Sequence, residues 1–152
     1  MKIAVVSDTH NNWANFKKAI KWLNKENIEL ILHCGDINGQ EIINETQKLF
    51  DGEIKYVKGN ADYELELPDK MEIEMENKKI VFMHFPTEAK KAAQSKKYDV
   101  VFYGHTHRPW DEKVGDCHMI NPGELAGQFY KPSFAVYDTS TGELELKILE
   151  KL

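Results

Sequence analysis

The chain has 152 residues, 41% hydrophobic and 30% charged, with a formal net charge of −5. That is enough for one domain with a substantial core, and the acidic balance argues against broad, sequence-blind binding to nucleic acid, which needs basic surface. No apolar run is long enough to span a membrane, Lys2 leads directly into a strand rather than a signal peptide, and Cys34 and Cys117 form no disulfide framework, so a cytoplasmic protein is expected.

Lys2 to Val6 is apolar and β-branched and predicts a buried strand. Asn12 to Asn24 carries Trp13, Phe16, Ala19, Ile20 and Leu23 at helical spacing, with Asn11 or Asn12 as its cap. Leu30 to His33 predicts a second buried strand running into Cys34-Gly35-Asp36. Glu41 to Phe50 predicts a second amphipathic helix, and Ile54 to Val57 a third strand leading to Gly59-Asn60. This alternation predicts right-handed βαβ units on a parallel sheet. Met71 to Met75 then alternates apolar and acidic residues, as a half-exposed strand does. Glu76-Asn77-Lys78 makes a turn into an antiparallel partner, Lys79 to Met83. Thr87 to Lys97 reads as a polar helix and Val100 to Tyr103 as a buried strand. Late strands are expected near Cys117 to Ile120, Ser133 to Asp138 and Leu144 to Leu149, the last pair joined by a hairpin turn at Thr139 to Gly142. The expected fold class is α/β, a mixed sheet or two-sheet sandwich flanked by helices, in one domain over residues 1–152. Exposed apolar positions in the late strands would permit a homodimer.

The chemistry sits at strand ends. Ser7-Asp8-Thr9-His10, Gly35-Asp36, Gly59-Asn60, Met83-His84 and Gly104-His105-Thr106-His107 each follow a predicted strand, where ligands bind in α/β sheets. Scattered core histidines would show no such preference. Asp8 and His10, two apart on an extended segment, point to one side. Gly35 lets the backbone approach closely at Asp36, which taken alone is also a helix cap. Gly59-Asn60 alone is also a plain turn, and His84 alone a packed or exposed histidine. His105 and His107 repeat the two-residue spacing, and neutral imidazole is the commonest protein metal ligand. Together Asp8, His10, Asp36, Asn60, His84, His105 and His107 offer only carboxylate, imidazole and amide groups, with a carboxylate to spare for bridging, which fits a pair of divalent metals. His33 is expected to be structural, and His118 has no assigned role.

The order Asp-x-His, Gly-Asp, Gly-Asn, His, Gly-His-x-His resembles the calcineurin-like metallophosphoesterase superfamily over nearly the whole chain. It is most similar to the short, cap-less phosphodiesterase branch, as is the turn Asn121-Pro122-Gly123. The resemblance implies two divalent ions, Mn2+ first, with Ni2+, Fe, Zn2+ or Co2+ as alternatives. Asp8, His10, Asp36 and His107 would hold one; Asp36, Asn60, His84 and His105 would hold the other, with Asp36 bridging. Metals roughly 3.5–4 Å apart clamp a phosphoryl oxygen and make hydroxide from water near neutral pH, so no nucleophilic side chain is needed. The implied reaction is hydrolysis of a small phosphodiester, nucleotide-derived among the options, with Asp36, His10 and Asp62 as its catalytic residues. Asp62 either orients His10 from behind or is an exposed loop carboxylate. Neither long nucleic acid nor a membrane is an expected partner.

Two departures bear on the substrate. Ala61 stands where many superfamily members have a histidine that protonates the leaving group, so easily departing groups are favoured. His84-Phe85-Pro86 stands where the branch commonly reads His-Gly-His, so Phe85 narrows the pocket or offers a stacking face. Arg108, Trp110 and Tyr130 either meet substrate or belong to solvated and packed surface. The rival expectation is a binding scaffold like the retromer subunit of eukaryotes, which resembles the same fold; the retention here of every ligand argues against it.

Overall fold

Strands that read as continuous apolar runs do so when both of their faces are covered. In the computed structural model, which describes residues 1–152, β1 (Lys2–Val6), β2 (Leu30–His33) and β3 (Glu53–Tyr56) run parallel and are joined by α1 (Trp13–Lys25) and α2 (Gln40–Leu49). A second sheet contains β4 (Lys70–Met75), β5 (Lys78–Met83), β6 (Val100–Phe102), β7 (Trp110–Val114) and β8 (Cys117–Asn121), with α3 (Pro86–Gln94) linking β5 to β6. The hairpin β9 (Ser133–Asp138) and β10 (Leu144–Ile148) returns to the first sheet, giving strand orders β10-β9-β1-β2-β3 and β4-β5-β6-β8-β7.

Alternation along β1 sorts the core into layers. Ile3 and Val5 pack between the sheets with Leu32, Phe82, Phe102 and Tyr137. Ala4 and Val6 face outward onto Phe16, Ile20 and Leu23 of α1 and Ile42 and Ile43 of α2. Val81, Val101 and Met119 lie under Ala89 and Ala93 of α3. The expected sandwich flanked by helices is therefore what forms, each large core side chain adding about 1.5–3 kcal/mol of burial.

Local signals set most element ends. Asn12 Oδ1 accepts the Asn15 N–H at 3.1 Å and caps α1. Pro86 occupies the first turn of α3, where its missing N–H leaves no bond unmade. That helix stops at Gln94, short of the expected Lys97: Ser95 N–H turns back to the Ala92 carbonyl, and Lys96 takes a φ of 64°. The expected last strand ends at Ile148, and Leu149–Lys151 coils into a short 3-10 turn. β7 was not expected; it is a largely exposed edge strand whose Asp111, Glu112 and Lys113 pair only with β8.

β1, β2 and β3 are parallel in one sheet, and β5, β6 and β8 in the other. Each of the motifs expected to supply metal ligands follows the carboxyl end of one of these strands.

His33, at the end of β2, is fully buried between Phe16 and Tyr56, with ring centroids 5.6 and 5.7 Å away. Its Nδ1 accepts the Gly35 N–H at 3.1 Å, so Nε2 carries the proton and donates to Thr9 Oγ1 at 2.8 Å. It is structural, as expected. Desolvation drives its pKa from 6.5 down to about 3. Between those values the unfolded chain binds a proton that the folded chain excludes. The stability held by neutral His33 is therefore complete above pH 6.5 and is lost as pH falls toward 3. His33→Gln is expected to flatten the fall in unfolding free energy across that window by up to about 1.4 kcal/mol per pH unit. Urea melts of both proteins in chelator from about pH 4 to about pH 7 measure this; parallel curves would refute it.

Candidate metal centre

Asp8, His10, Asp36, His105 and His107 all hold positive φ, from 45° to 71°. Such backbone costs a non-glycine residue about 1–3 kcal/mol and persists only where neighbours over-determine it. The segment from Asp8 to His10 is therefore not the extended one that the spacing had predicted; left-handed backbone at Asp8, His10 and Asn11 aims its side chains. The loops after β1 and β2 zip together through Asp8 N–H to Gly35 O at 3.0 Å, His10 N–H to Asp36 O at 2.9 Å and Asn11 N–H to Ile37 O at 3.1 Å. The motif glycines make the approach feasible. A Cβ on Gly59 would collide with Asp36, and one on Gly104 with Ser7 and Asp8.

Most of these side chains are tied by one atom and turned inward by the other. Asp8 Oδ2 accepts from Ser7 Oγ at 2.7 Å and His105 N–H at 3.0 Å, leaving Oδ1 without a hydrogen bond. Asp36 Oδ1 accepts the Ala61 N–H at 2.8 Å. His84 Nδ1–H donates to the Cys34 carbonyl at 2.8 Å, and His107 Nδ1–H to Glu124 Oε2 at 2.7 Å. Both rings therefore present an Nε2 lone pair inward.

The inward atoms converge. His107 Nε2 is 3.3 Å and His10 Nε2 3.6 Å from Asp8 Oδ1. Asp36 Oδ2 stands between one histidine of each group, 3.4 Å from His10 Nε2 and 3.3 Å from His84 Nε2. Asn60 Oδ1 lies 2.8 Å from His84 Nε2 and 3.0 Å from His105 Nδ1. All seven expected ligands are thus brought together. Asp8, His10 and His107 form one compact donor group, and Asp8, Asp36 and His84 another.

This is a surplus of lone pairs over protons in a largely buried setting, which added protons or a bound cation would relieve. His10 Nε2 and Asp8 Oδ1 are buried with no hydrogen-bond partner. The pKa values carry the same message. Contact with Asp8 raises that of His10 despite burial. Burial works against a charged His84, yet Asp36, Asp8 and the Cys34 carbonyl together raise its pKa. Burial likewise opposes ionisation of Asp36, but His84, the Ala61 N–H and His10 outweigh it and lower the pKa. Mixed imidazole and carboxylate donors suit first-row divalent ions, and the residues present fit such a group.

Asp62 does not bond to His10. Its buried carboxylate accepts backbone N–H groups instead: Oδ2 from Asp36 at 2.8 Å and Gly59 at 2.9 Å, Oδ1 from Asn38 at 2.8 Å. It is neither the ring-orienting group nor the exposed carboxylate weighed from sequence, but a clamp between two loops. Glu124 went unnoticed in the sequence. It is fully buried, holds His107 with Oε2, and takes the N–H groups of Gln128 and Phe129 with Oε1. Its one sequence signal is a lone acidic residue in the otherwise uncharged stretch from Met119 to Tyr130. Arg108 lies 4.5 Å over the exposed Trp110 ring, so these two residues engage each other on the rim. His118 Nε2 meets Asp111 Oδ2 at 3.0 Å across β7 and β8.

The sequence matches the profile of the calcineurin-like phosphoesterase superfamily domain over residues 1–142. It is 35% identical to a phosphodiesterase of Methanocaldococcus jannaschii, an alignment covering 99% of this chain and 100% of that one. A solved archaeal phosphodiesterase superposes with a TM-score of 0.88 at 33% identity, covering 97% of this chain and 99% of the other. Vps29 of Entamoeba histolytica, solved as a zinc complex, shares the fold at a TM-score of 0.76 and 22% identity, covering 97% of each chain. The convergent donor set and these likenesses agree: the chain belongs to the calcineurin-like phosphoesterase superfamily.

Proposed function

We propose that the protein is a cytoplasmic phosphodiesterase that hydrolyses a small phosphodiester at a dinuclear centre. Asp8, His10, Asp36 and His107 would hold one divalent ion, and Asp36, Asn60, His84 and His105 the other. The observation that carries this reading is Asp36 Oδ2, placed between His10 Nε2 and His84 Nε2 while its partner oxygen is fixed by Ala61. The full-length likeness to the phosphodiesterase of Methanocaldococcus jannaschii supports it. When bound, such a pair supplies a nucleophile from water near neutral pH and neutralises charge on the phosphoryl oxygens.

The chain's own residues supply position. Cys34, Glu124 and Ser7 fix which atom of His84, His107 and Asp8 turns inward, so little reorganisation is needed when charge develops on the phosphate. Ala61 offers the site a backbone N–H, already given to Asp36, and no protic side chain. Leaving groups must therefore depart without a proton from that position, which favours those of low pKa.

The test is hydrolysis of bis(p-nitrophenyl) phosphate beside p-nitrophenyl phosphate, after chelation and return of Mn2+. Restored cleavage of the diester, with little of the monoester, is the expected result. Metal-loaded, folded protein that cleaves neither would overturn the reading. Repeating the series with Ni2+, Zn2+, Co2+ and Fe2+ ranks the activating ion.

A further inference from the structure

The exposed aromatic side chains of this protein are Tyr63, Phe85, Trp110, Phe129 and Tyr130. Trp110 already has Arg108 on its ring. Two of the others touch metal-centre rings. Phe85 lies 5.0 Å from His84 and 5.1 Å from His105, and Phe129 lies 5.1 Å from His107.

These two rings touch different donor groups, Phe129 a histidine of the Asp8, His10 and His107 group and Phe85 one of the Asp8, Asp36 and His84 group. Contacts run from Phe129 to His107, then Asp8, His10, Asp36, His84 and His105, and end at Phe85. A phosphate held between the two groups would have the ligands of one group beside Phe129 and those of the other beside Phe85. Phe85 meets His84 edge-to-face at 84°, and Phe129 meets His107 at 74°. Phe85 is 41% and Phe129 75% exposed. Exposure this large means that burial in the core does not account for Phe129.

The backbone that carries each ring is also held. Phe85 is the residue that leads into α3, followed by Pro86 in the first turn. The backbone N–H of Phe129 is bound by Glu124, the same carboxylate that holds His107. Phe129 is thereby fixed relative to a ligand of the centre, rather than carried on an independent loop.

We propose that Phe85 and Phe129 are the side walls of the substrate site, each presenting a ring face to one ester arm. The substrate class is then a phosphodiester with a flat aromatic group on both sides of the phosphorus, such as an aryl ester of a nucleotide, whose aryloxide departs without a proton; a diester joining two nucleosides offers the same pair of flat arms as a binding probe. This rests on the phosphodiesterase reading and narrows it. Aromatic stacking rewards a flat arm and does nothing for an aliphatic one.

The test reads binding, so it does not depend on turnover. Calorimetry on the Mn2+-loaded protein compares a hydrolysis-resistant dinucleoside phosphorothioate with the methyl phosphorothioate ester of one nucleoside. The two-nucleoside diester is expected to bind about five- to tenfold more tightly. Phe85→Leu and Phe129→Leu keep apolar bulk but remove the flat face. Each is expected to weaken the dinucleoside diester by a similar factor while the protein still binds the same equivalents of Mn2+. Equal affinity for the two probes, no binding of either, or variants that bind the dinucleoside diester like the parent would overturn the proposal. None of these results touches the phosphodiesterase reading, which stands or falls on cleavage of bis(p-nitrophenyl) phosphate.

Discussion

Asp36→Asn is expected to lower phosphodiester turnover by about a thousandfold, because several kcal/mol of metal-derived stabilisation is lost and each 1.4 kcal/mol is about tenfold. Metal content should fall from two equivalents to at most one. The same change should not unfold the protein. The amide oxygen can keep the Ala61 N–H, and the backbone N–H of residue 36 still reaches Asp62. The new NH2 group would face His10 Nε2 and His84 Nε2, whose lone pairs crowd against a carboxylate oxygen in the parent. At alkaline pH, where His10 and His84 are neutral, the metal-free variant should therefore be as stable as metal-free parent or more so, while the gain in Tm on adding Mn2+ shrinks. That opposition of signs separates a metal-bridging role from a structural one. A variant that keeps two equivalents of metal and full turnover would end the bridging assignment; one that melts early in chelator would show Asp36 to be a fold residue.

Reading the sequence succeeded where burial writes itself into composition, and failed where partners lie far apart along the chain. β1 and β2 are legible because every residue from Ile3 to Val6 and from Leu30 to His33 is buried on one face or the other. β7 is illegible because an edge strand needs only one neighbour, and Asp111, Glu112 and Lys113 look like loop. The candidate ligands could be found because strand ends mark them. The residues that aim them could not: Glu124 acts on His107 from 17 positions away, and Asp62 on Asp36 from 26. The Cys34 carbonyl has no side-chain signature at all. The spacing of Asp8 and His10 picked out side chains that do converge, but through the wrong backbone. An extended segment was expected, whereas positive φ at both positions does the aiming, and only the zipped partner loop makes that affordable.

The second large effect is expected from Asp62→Ala, and it is one of stability. Removing the carboxylate leaves the N–H groups of Asp36, Asn38 and Gly59 without their acceptor. An unsatisfied buried donor costs about 1–3 kcal/mol; with water filling part of the gap, a total loss of about 3–5 kcal/mol is expected, a large share of the roughly 5–15 kcal/mol available to a domain. The loss reaches the metal centre, because Asp36 and Asn38 hold φ of 59° and 84° and these bonds help to keep them there. Affinity for Mn2+ should fall along with stability. Asp62→Asn retains an oxygen for some of the donors but sets an NH2 group against the rest and gives up the charge that strengthens each bond. It should lie between alanine and the parent in both properties. Urea melts in chelator, followed by Mn2+ titration of whatever remains folded, give the two readouts separately. A side chain that acted only by orienting His10 would leave the melts unchanged and alter the pH profile of turnover instead. If Asp62→Ala costs less than about 1 kcal/mol, the strained loops are held by the β1 and β2 zipper alone, and the clamp is not what keeps Asp36 in place.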